Sequence, residues 1–142
     1  MSRDDIVRSA RRWIGTPYMH QASRKGVGTD CLGLLRGIWR EIYGTEPEPV
    51  PPYTPDWSEP QGEERLWDGA RRHLVAAPAG EKAPGDVILF RMRSSGVAKH
   101  LGIAATVGDY PTFIHAYSGH HVIESPFSKP WRRRVVARFR FP

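Results

Sequence analysis

Apolar residues recur at helical spacing in the first half of the chain. A helix is predicted over residues 2–14, because its apolar residues fall on one face. That apolar face consists of Ile6, Val7, Ala10, Trp13 and Ile14. A second stripe predicts a helix over residues 31–43, and a weaker one predicts a third helix over residues 63–75. The N-terminal half is therefore expected to be largely helical.

Residues typical of helix ends support the first two helices. Ser2 is followed three residues later by Asp5, the spacing of a reciprocal N-terminal cap. Asp30 stands where the second helix needs an N-terminal cap, and Gly44 is a natural C-terminal stop. The boundaries of both helices are therefore set by the local sequence.

Strand-like segments follow the helices. They are DVILF (86–90), KHLGIAATV (99–107), TFIHAY (112–117), HVIES (121–125) and VVARFRF (135–141). The last segment alternates apolar residues with Arg138 and Arg140, which predicts one buried face and one solvated face. Helices followed by consecutive antiparallel strands predict an α+β fold, with the N-terminal helices packed on the sheet.

Length and charge limit the possible functions. A chain of 142 residues is expected to form one domain spanning residues 1–142, and its single cysteine excludes an internal disulfide. The net charge of +6 favours an anionic partner. The basic cluster WRRR (131–134) precedes a strand pattern and is interpreted as a solvated strand edge, so no specific nucleic-acid site is predicted.

The sequence also bears on location. The first residues, MSRDDIVRSARRWIG, contain no apolar core of signal-peptide length. No stretch approaches the ~20 apolar residues of a membrane span. The protein is therefore expected to be made in the cytoplasm and, if it acts outside the cell, to be carried there by something else.

Residues 45–62 contain six prolines and predict an extended surface excursion. Two interpretations remain open for it. Tyr53, Trp57 and the nearby Trp67 could form a docking surface for a partner protein. The favoured alternative is an ordered loop packed on its own domain.

Cys31 is the only cysteine, and two interpretations of it remain open. It lies on the apolar stripe of its helix, which is typical of a buried structural cysteine. It also lies in the first helical turn, where unpaired backbone N–H groups favour a thiolate and could hold an oxyanion. We expect this position to lower the thiol pKa if Cys31 is a nucleophile.

A nucleophilic cysteine needs a base and a residue that orients the base. His100 and His115 lie in successive predicted strands. A turn over residues 108–111 would put them on one face about four residues apart, whereas a tighter turn would place them directly opposite, and a bulge could reconcile the two. In the first register, His120 becomes a rival to His115 as the orienting residue.

Five short motifs occur in an order that resembles the NlpC-like cell-wall peptidases, which are papain-like cysteine hydrolases. The motifs are GTPY (15–18), DCLG (30–33), APGDVILF (83–90), HLGI (100–103) and FIHA (113–116). The resemblance covers nearly the whole chain, with the proline-rich excursion as the main addition. The segment over residues 15–44 is more similar to the subgroup carried by tailed phages and phage-like gene-transfer particles.

The resemblance implies a role for each matching residue. It makes Cys31 the nucleophile, His100 the general base and His115 the residue that orients His100. Tyr18 would line the site and help to hold the oxyanion. Asp30 would help to bind the free amino terminus of the substrate, in addition to capping its helix.

The sequence departs from the family pattern at two places. Leu32 stands where serine is common, and the segment MHQAS (19–23) replaces a stretch that often holds aromatic residues and paired glycines. Both places adjoin the expected substrate groove. The departures therefore bear on which bond is cleaved more than on the catalytic residues.

The resemblance implies a peptidoglycan stem-peptide hydrolase that cuts the D-glutamyl–diamino-acid bond, without metal or cofactor. As part of a phage-like tail, it would contact tail-tip or baseplate proteins and be delivered to the periplasm and cell wall. Two alternatives stay open. One is a structural tail-tip adaptor that keeps the fold with little or no activity, and the other is an amidase of the same fold.

Overall fold

The computed structural model describes residues 2–142 and confirms the α+β architecture. The helices are α1 (Arg3–Arg12), α2 (Cys31–Tyr43), α3 (Arg65–His73) and α4 (Lys129–Arg132). The first four strands are β1 (Ser23–Arg24), β2 (Gly28–Thr29), β3 (Val75–Ala76) and β4 (Val87–Arg91). The last four are β5 (Ala98–Thr106), β6 (Thr112–Ala116), β7 (Val122–Pro126) and β8 (Val135–Arg140). A short 3-10 turn spans Glu59–Gln61.

Local sequence determines the start of the first helix. The Ser2 side chain accepts a hydrogen bond from the Asp5 N–H, and the Asp5 carboxylate accepts one from the Ser2 N–H. This confirms the predicted reciprocal cap. The helix ends at Arg12, two residues before the predicted end, and Ile14 is 45% exposed. The assignment of Ile14 to the buried stripe was therefore wrong, because Ile14 lies beyond the last helical turn.

Six antiparallel strands form the main sheet in the order β3-β8-β4-β5-β6-β7. One face packs against α1 and α2 in the larger apolar core. The opposite face carries a smaller core around Phe90 and Phe113, which Phe127 and Trp131 cover. Strands β5 and β6 contribute to both cores, because successive side chains of a strand point to opposite faces.

The prediction that Arg138 and Arg140 face solvent was wrong. Their side chains are only 14% and 18% exposed, and both pair with Asp86, which is buried. The nitrogen–oxygen distances are 3.0 Å to Arg138 and 3.1 Å to Arg140. A buried carboxylate requires such partners. The alternation within β8 could not show that a buried carboxylate lies just before the neighbouring strand β4.

The proline-rich excursion packs on its own domain. Tyr53 and Trp57 are buried, and their rings stack with centroids 4.3 Å apart. The interpretation of these two residues as a docking surface was therefore wrong. Trp67 is half-buried on α3 and lies 4.4 Å beneath the guanidinium of Arg71.

The basic cluster also differs from the prediction. Lys129–Arg132 form a short helix, and Trp131 packs beneath the sheet instead of lying at a strand edge. Arg132 and Arg133 are exposed. Within residues 2–142, no helix combines the length and apolar character needed to cross a membrane.

Candidate active site

Cys31 is the first residue of α2, and the turn before it is held tightly. The Asp30 carboxylate accepts a hydrogen bond from the Gly33 N–H at 2.7 Å, which confirms the predicted cap. Gly33 is required there for a second reason. A Cβ at residue 33 would lie 1.8 Å from the carbonyl oxygen of Ala22. The chain before the helix can therefore pass this close to α2 only because residue 33 has no side chain.

The Cys31 thiol is buried between the start of α2 and strand β5. The backbone N–H groups of Leu101, Leu32 and Cys31 itself lie near the sulphur and act to lower its pKa. Burial, helped by the Asp30 carboxylate, outweighs them and raises the pKa of the Cys31 thiol to about 12. The expectation of a lowered thiol pKa was therefore wrong, because the loss of water outweighs the helix N-terminus. At neutral pH the free protein carries a thiol and not a thiolate.

His100 and His115 are in direct contact. His100 Nε2 lies 2.8 Å from His115 Nδ1, and His115 Nε2 lies 3.0 Å from the hydroxyl of Ser125 on β7. One consistent assignment makes His100 Nε2–H the donor to His115, and His115 Nε2–H the donor to Ser125. His100 Nδ1 is then free to accept a proton, which is what a general base requires.

The hairpin register that brings these histidines together lies between the two predicted registers, and the bulge that could reconcile them is present. Ile103 pairs with Ile114 and Thr106 with Thr112, with a bulge between Ala104 and Thr106. Continuing the first pairing by one residue sets His115 opposite Gly102. His100 is two residues from Gly102 on the same face, so its ring and that of His115 are diagonal neighbours.

Gly102 provides the space for this contact. A Cβ at residue 102 would lie 2.7 Å from the Phe113 ring and 3.3 Å from the His115 Cβ. The first distance is shorter than real Cβ contacts allow. A side chain at residue 102 would therefore displace the strand that carries His115.

Aromatic rings enclose the histidine pair. Phe90, Phe113, Tyr117 and Trp131 all have ring centroids within 6 Å of one or both imidazoles. Burial lowers the pKa of His115 to about 4, and the charge of His120 acts in the same direction. Burial, with His115 beside it, holds the pKa of His100 well below its usual value. Both imidazoles are therefore neutral at pH 7.

His120 does not occupy the position of the rival orienting residue. It is exposed in the turn between β6 and β7, where its ring stacks on Tyr117 with centroids 5.5 Å apart. The residue in hydrogen-bond contact with His100 is His115.

Tyr18 lies near the thiol. Its backbone bridges to Thr29, one residue before the cap of α2. Burial, with Cys31 and Asp30 nearby, raises the pKa of Tyr18 to about 12. The phenol therefore keeps its proton and is available as a hydrogen-bond donor beside the thiol.

Asp30 is only 2% exposed, and both of its carboxylate oxygens have partners. One oxygen caps α2. The other accepts the Gln21 N–H at 2.7 Å and the Tyr53 hydroxyl, and His20 Nδ1 lies 3.7 Å from it. The capping role is confirmed, whereas the role in binding an amino terminus stays a prediction.

The sequence did not indicate the roles that three residues have at this site. Ser125 extends the hydrogen-bonded histidine pair, Trp131 covers that pair, and Tyr53 binds Asp30. Each comes from a segment distant in sequence from the residue it contacts. Only Ser125 had a signal in the sequence. The alternation of HVIES (121–125) predicts that Ser125 and Ile123 lie on the same face of a strand. In the part of the chain that the structure describes, no group of three His, Cys, Asp or Glu side chains could hold a metal ion.

Comparison with known proteins agrees with this architecture. No family model matches the chain. The γ-DL-glutamyl hydrolase of Bacillus subtilis (strain 168) is 29% identical over 137 residues. This match covers 96% of the present chain but 29% of the hydrolase, so the chain spans less than a third of that relative.

Several solved structures are similar in fold, among them the following two. An NlpC/P60 family protein of Bacillus cereus ATCC 10987 is similar at a TM-score of 0.68 and 23% identity, over 99% of this chain and 40% of that one. The NlpC/p60 domain of the peptidoglycan hydrolase SagA is similar at a TM-score of 0.55 and 24% identity, over 89% and 90% of the two chains. The protein therefore has the papain-like NlpC/P60 fold, over nearly its whole length.

Proposed function

We propose that this protein is a cysteine endopeptidase that hydrolyses the stem peptides of peptidoglycan. The observation that carries the proposal is the position of Cys31. It lies at the start of α2, next to the backbone N–H of Leu101. Leu101 follows His100, which contacts His115, and His115 contacts Ser125. This arrangement supplies a nucleophile, a base and residues that orient the base.

The reaction proceeds in two steps. His100 Nδ1 accepts the Cys31 proton as the sulphur attacks the amide carbonyl, and the resulting imidazolium protonates the leaving nitrogen. The C–N bond breaks and a thioester remains on Cys31. Water then gives a proton to His100 and attacks the thioester, which releases the carboxylic acid and restores the thiol.

The surroundings fit this sequence of charges. Thiol and imidazole are both neutral before substrate arrives, so the buried site carries no unpaired thiolate. Charge develops on the carbonyl oxygen during attack. Backbone N–H groups at the start of α2 and the Tyr18 hydroxyl are the donors available to stabilise it.

The proposed bond is the D-glutamyl–diamino-acid bond. Support comes from the similarity to a protein named γ-DL-glutamyl hydrolase, and from the presence of the DCLG motif at residues 30–33. The net charge of +6 also favours a polymer rich in carboxylates.

Digestion of purified diaminopimelate-type sacculi tests this proposal. The protein is expected to release peptide fragments whose masses identify the cleaved bond, while Cys31→Ser releases none above the background. Circular dichroism of both proteins controls for folding. Equal release by the two proteins would exclude Cys31 as the nucleophile, and fragments ending at the muramyl–alanine bond would identify an amidase.

We also propose that the protein acts within a phage-like tail and is delivered to the cell wall with the particle. Support comes from the similarity of residues 15–44 to that subgroup. Antibody labelling of purified particles from the producing cell is expected to place the protein at the tail tip with tail-tip or baseplate proteins. Particles that lack the protein would contradict this role.

A structural adaptor remains a second candidate because the site is closed. Cys31 and His100 are each only 6% exposed. An adaptor predicts that the protein cleaves nothing from sacculi and that Cys31→Ser particles infect normally. A hydrolase predicts loss of wall cleavage in the same particles.

A further inference from the structure

A basic surface lies next to the histidine pair, on the short helix α4 and the residues that follow it. Lys129, Arg132 and Arg133 are exposed. Arg134 is half-buried, and its guanidinium lies 5.4 Å from the centre of the Trp131 ring. We call the four basic residues the α4 patch. The reaction proposed above uses none of them.

The α4 patch has no acidic partner within the protein. No ion pair among residues 2–142 includes any of its four cations. By contrast, Arg138 and Arg140 on β8 are both paired with Asp86. The sequence over residues 125–142 contains no Asp or Glu. The patch therefore holds four uncompensated positive charges, against a net charge of +6 for the whole chain.

The patch adjoins the histidine end of the candidate site. The Trp131 ring centre lies 5.6 Å from that of His100 and 5.1 Å from that of His115. Arg132 follows Trp131 directly in the chain. An extended peptide advances about 3.3–3.6 Å per residue, so a chain bound at His100 reaches the patch within a few residues.

The chemistry of the proposed substrate complements these charges. A γ-linked glutamyl residue keeps its α-carboxylate free, and the diamino acid that follows it carries a further carboxylate. Peptidoglycan repeats these groups on neighbouring stem peptides, so it presents many negative charges to one surface. Arginine suits this ligand, because its planar guanidinium donates two parallel hydrogen bonds to a carboxylate.

We propose that the α4 patch holds the peptidoglycan polymer by the carboxylates of its stem peptides while the site acts on a neighbouring peptide. The inference rests on the proposed function, and it concerns retention of the wall and not the bond-breaking step. The patch then determines how much wall is needed for half-maximal cleavage and leaves the maximal rate unchanged. Salt weakens this retention, because it screens exposed charges.

Two double variants with the same net charge locate the binding surface. In the first, Arg132→Gln and Arg133→Gln remove two charges from the α4 patch. In the second, Arg3→Gln and Lys82→Gln remove two charges from exposed side chains that likewise take part in no ion pair of residues 2–142. Lys82 precedes the start of β4, whereas His100 pairs near the end of that strand. All four side chains are exposed, so both variants are expected to fold, which circular dichroism checks.

Sedimentation with purified diaminopimelate-type sacculi, freed of attached proteins and phosphate polymers, measures retention. Every protein carries Cys31→Ala, so that the wall stays intact. In about 50 mM NaCl, the patch variant is expected to bind about fivefold more weakly or worse, and the second variant within about twofold of the unchanged patch. Sacculi whose carboxylates are converted to amides with carbodiimide and ethanolamine are expected to lose the same fraction of binding.

Three results of this measurement would overturn the proposal. Equal weakening by the two double variants would show that only the total charge matters. Unchanged binding to the amidated sacculi would show that carboxylates are not the ligand. Tighter binding of a short DNA duplex than of sacculi, lost in the patch variant, would identify a nucleic-acid surface instead.

Fragment release with Cys31 in place separates this proposal from the proposed function. The patch variant is expected to need about fivefold more sacculi for half-maximal release, at an unchanged maximal rate. If sacculi are held through the patch but never cleaved, the patch stands and the hydrolase does not. If sacculi are cleaved and both variants match the unchanged protein, the hydrolase stands and the patch is wrong. A lower maximal rate with unchanged half-saturation would also overturn the proposal, because the patch would then act in the bond-breaking step.

Discussion

Replacing His100 with alanine is expected to lower kcat/KM for stem-peptide hydrolysis by about a thousandfold or more. Burial raises the pKa of the Cys31 thiol to about 12, so very little thiolate exists at pH 7 without a base. His100 also supplies the proton for the leaving nitrogen. Its removal therefore affects both formation of the tetrahedral intermediate and its collapse, while Cys31 remains in place.

The measurement is release of the fragment identified in the sacculus assay, at pH 7 and with matched protein concentrations. His120→Ala is the control, because His120 is an exposed histidine from the turn next to the site. We expect it to retain activity within about threefold of the unchanged protein. A loss below tenfold for His100→Ala, or an equal loss for His120→Ala, would contradict the assigned roles.

Helix positions could be predicted well because their determinants are local. The apolar stripe of α2, its Asp30 cap and the Gly44 stop all lie within fifteen residues, and α2 has the predicted bounds. The same local reasoning failed for the Cys31 pKa. The helix N-terminus is visible in the sequence, whereas the burial that outweighs it depends on strand β5, about 70 residues away in the chain.

The histidine pair shows why the candidate site could be only partly predicted. Both histidines were identified, but their contact depends on the register of one hairpin, and a bulge of one residue decides that register. The sequence of residues 104–112 is compatible with more than one turn. Gly102 was the one local clue, because it leaves room beside His100 for the ring of His115.

The bounds of the proline-rich excursion could be predicted, but the surface against which it packs could not. Its prolines predict extended chain, and they carry no information about which surface that chain covers. Tyr53 was grouped with exposed aromatic residues, whereas its ring is buried and its hydroxyl completes the environment of Asp30. Contacts of this kind join residues that no spacing rule relates.

Acid is expected to destabilise the fold through the buried histidine pair. The pKa of His115 is about 4 in the folded protein against 6.5 for an ordinary histidine. The unfolded chain therefore binds more protons below pH 6.5, and the free energy of unfolding falls as the pH falls. His115 alone predicts a loss of about 2 kcal/mol by pH 5 and about 3 kcal/mol by pH 4. His100 adds to this loss, because its pKa is also lowered.

Urea unfolding at a series of pH values from 7 to 5 measures this dependence. The upper pH limit lies above the usual pKa of histidine, and the lower pH limit lies above the usual pKa values of carboxylates. His115→Asn keeps an amide that can hydrogen-bond to His100 but cannot titrate, so it is expected to remove about 2 kcal/mol of the loss over this range.

His121→Asn, which changes an exposed histidine, is expected to keep the full pH dependence. The comparison uses slopes, so a lower absolute stability of His115→Asn does not affect it. If His115→Asn keeps the slope of the unchanged protein, His115 is not a buried neutral imidazole. The pKa of His115 would then be close to that of a histidine in the unfolded chain, and burial would not be what keeps the imidazole next to His100 neutral.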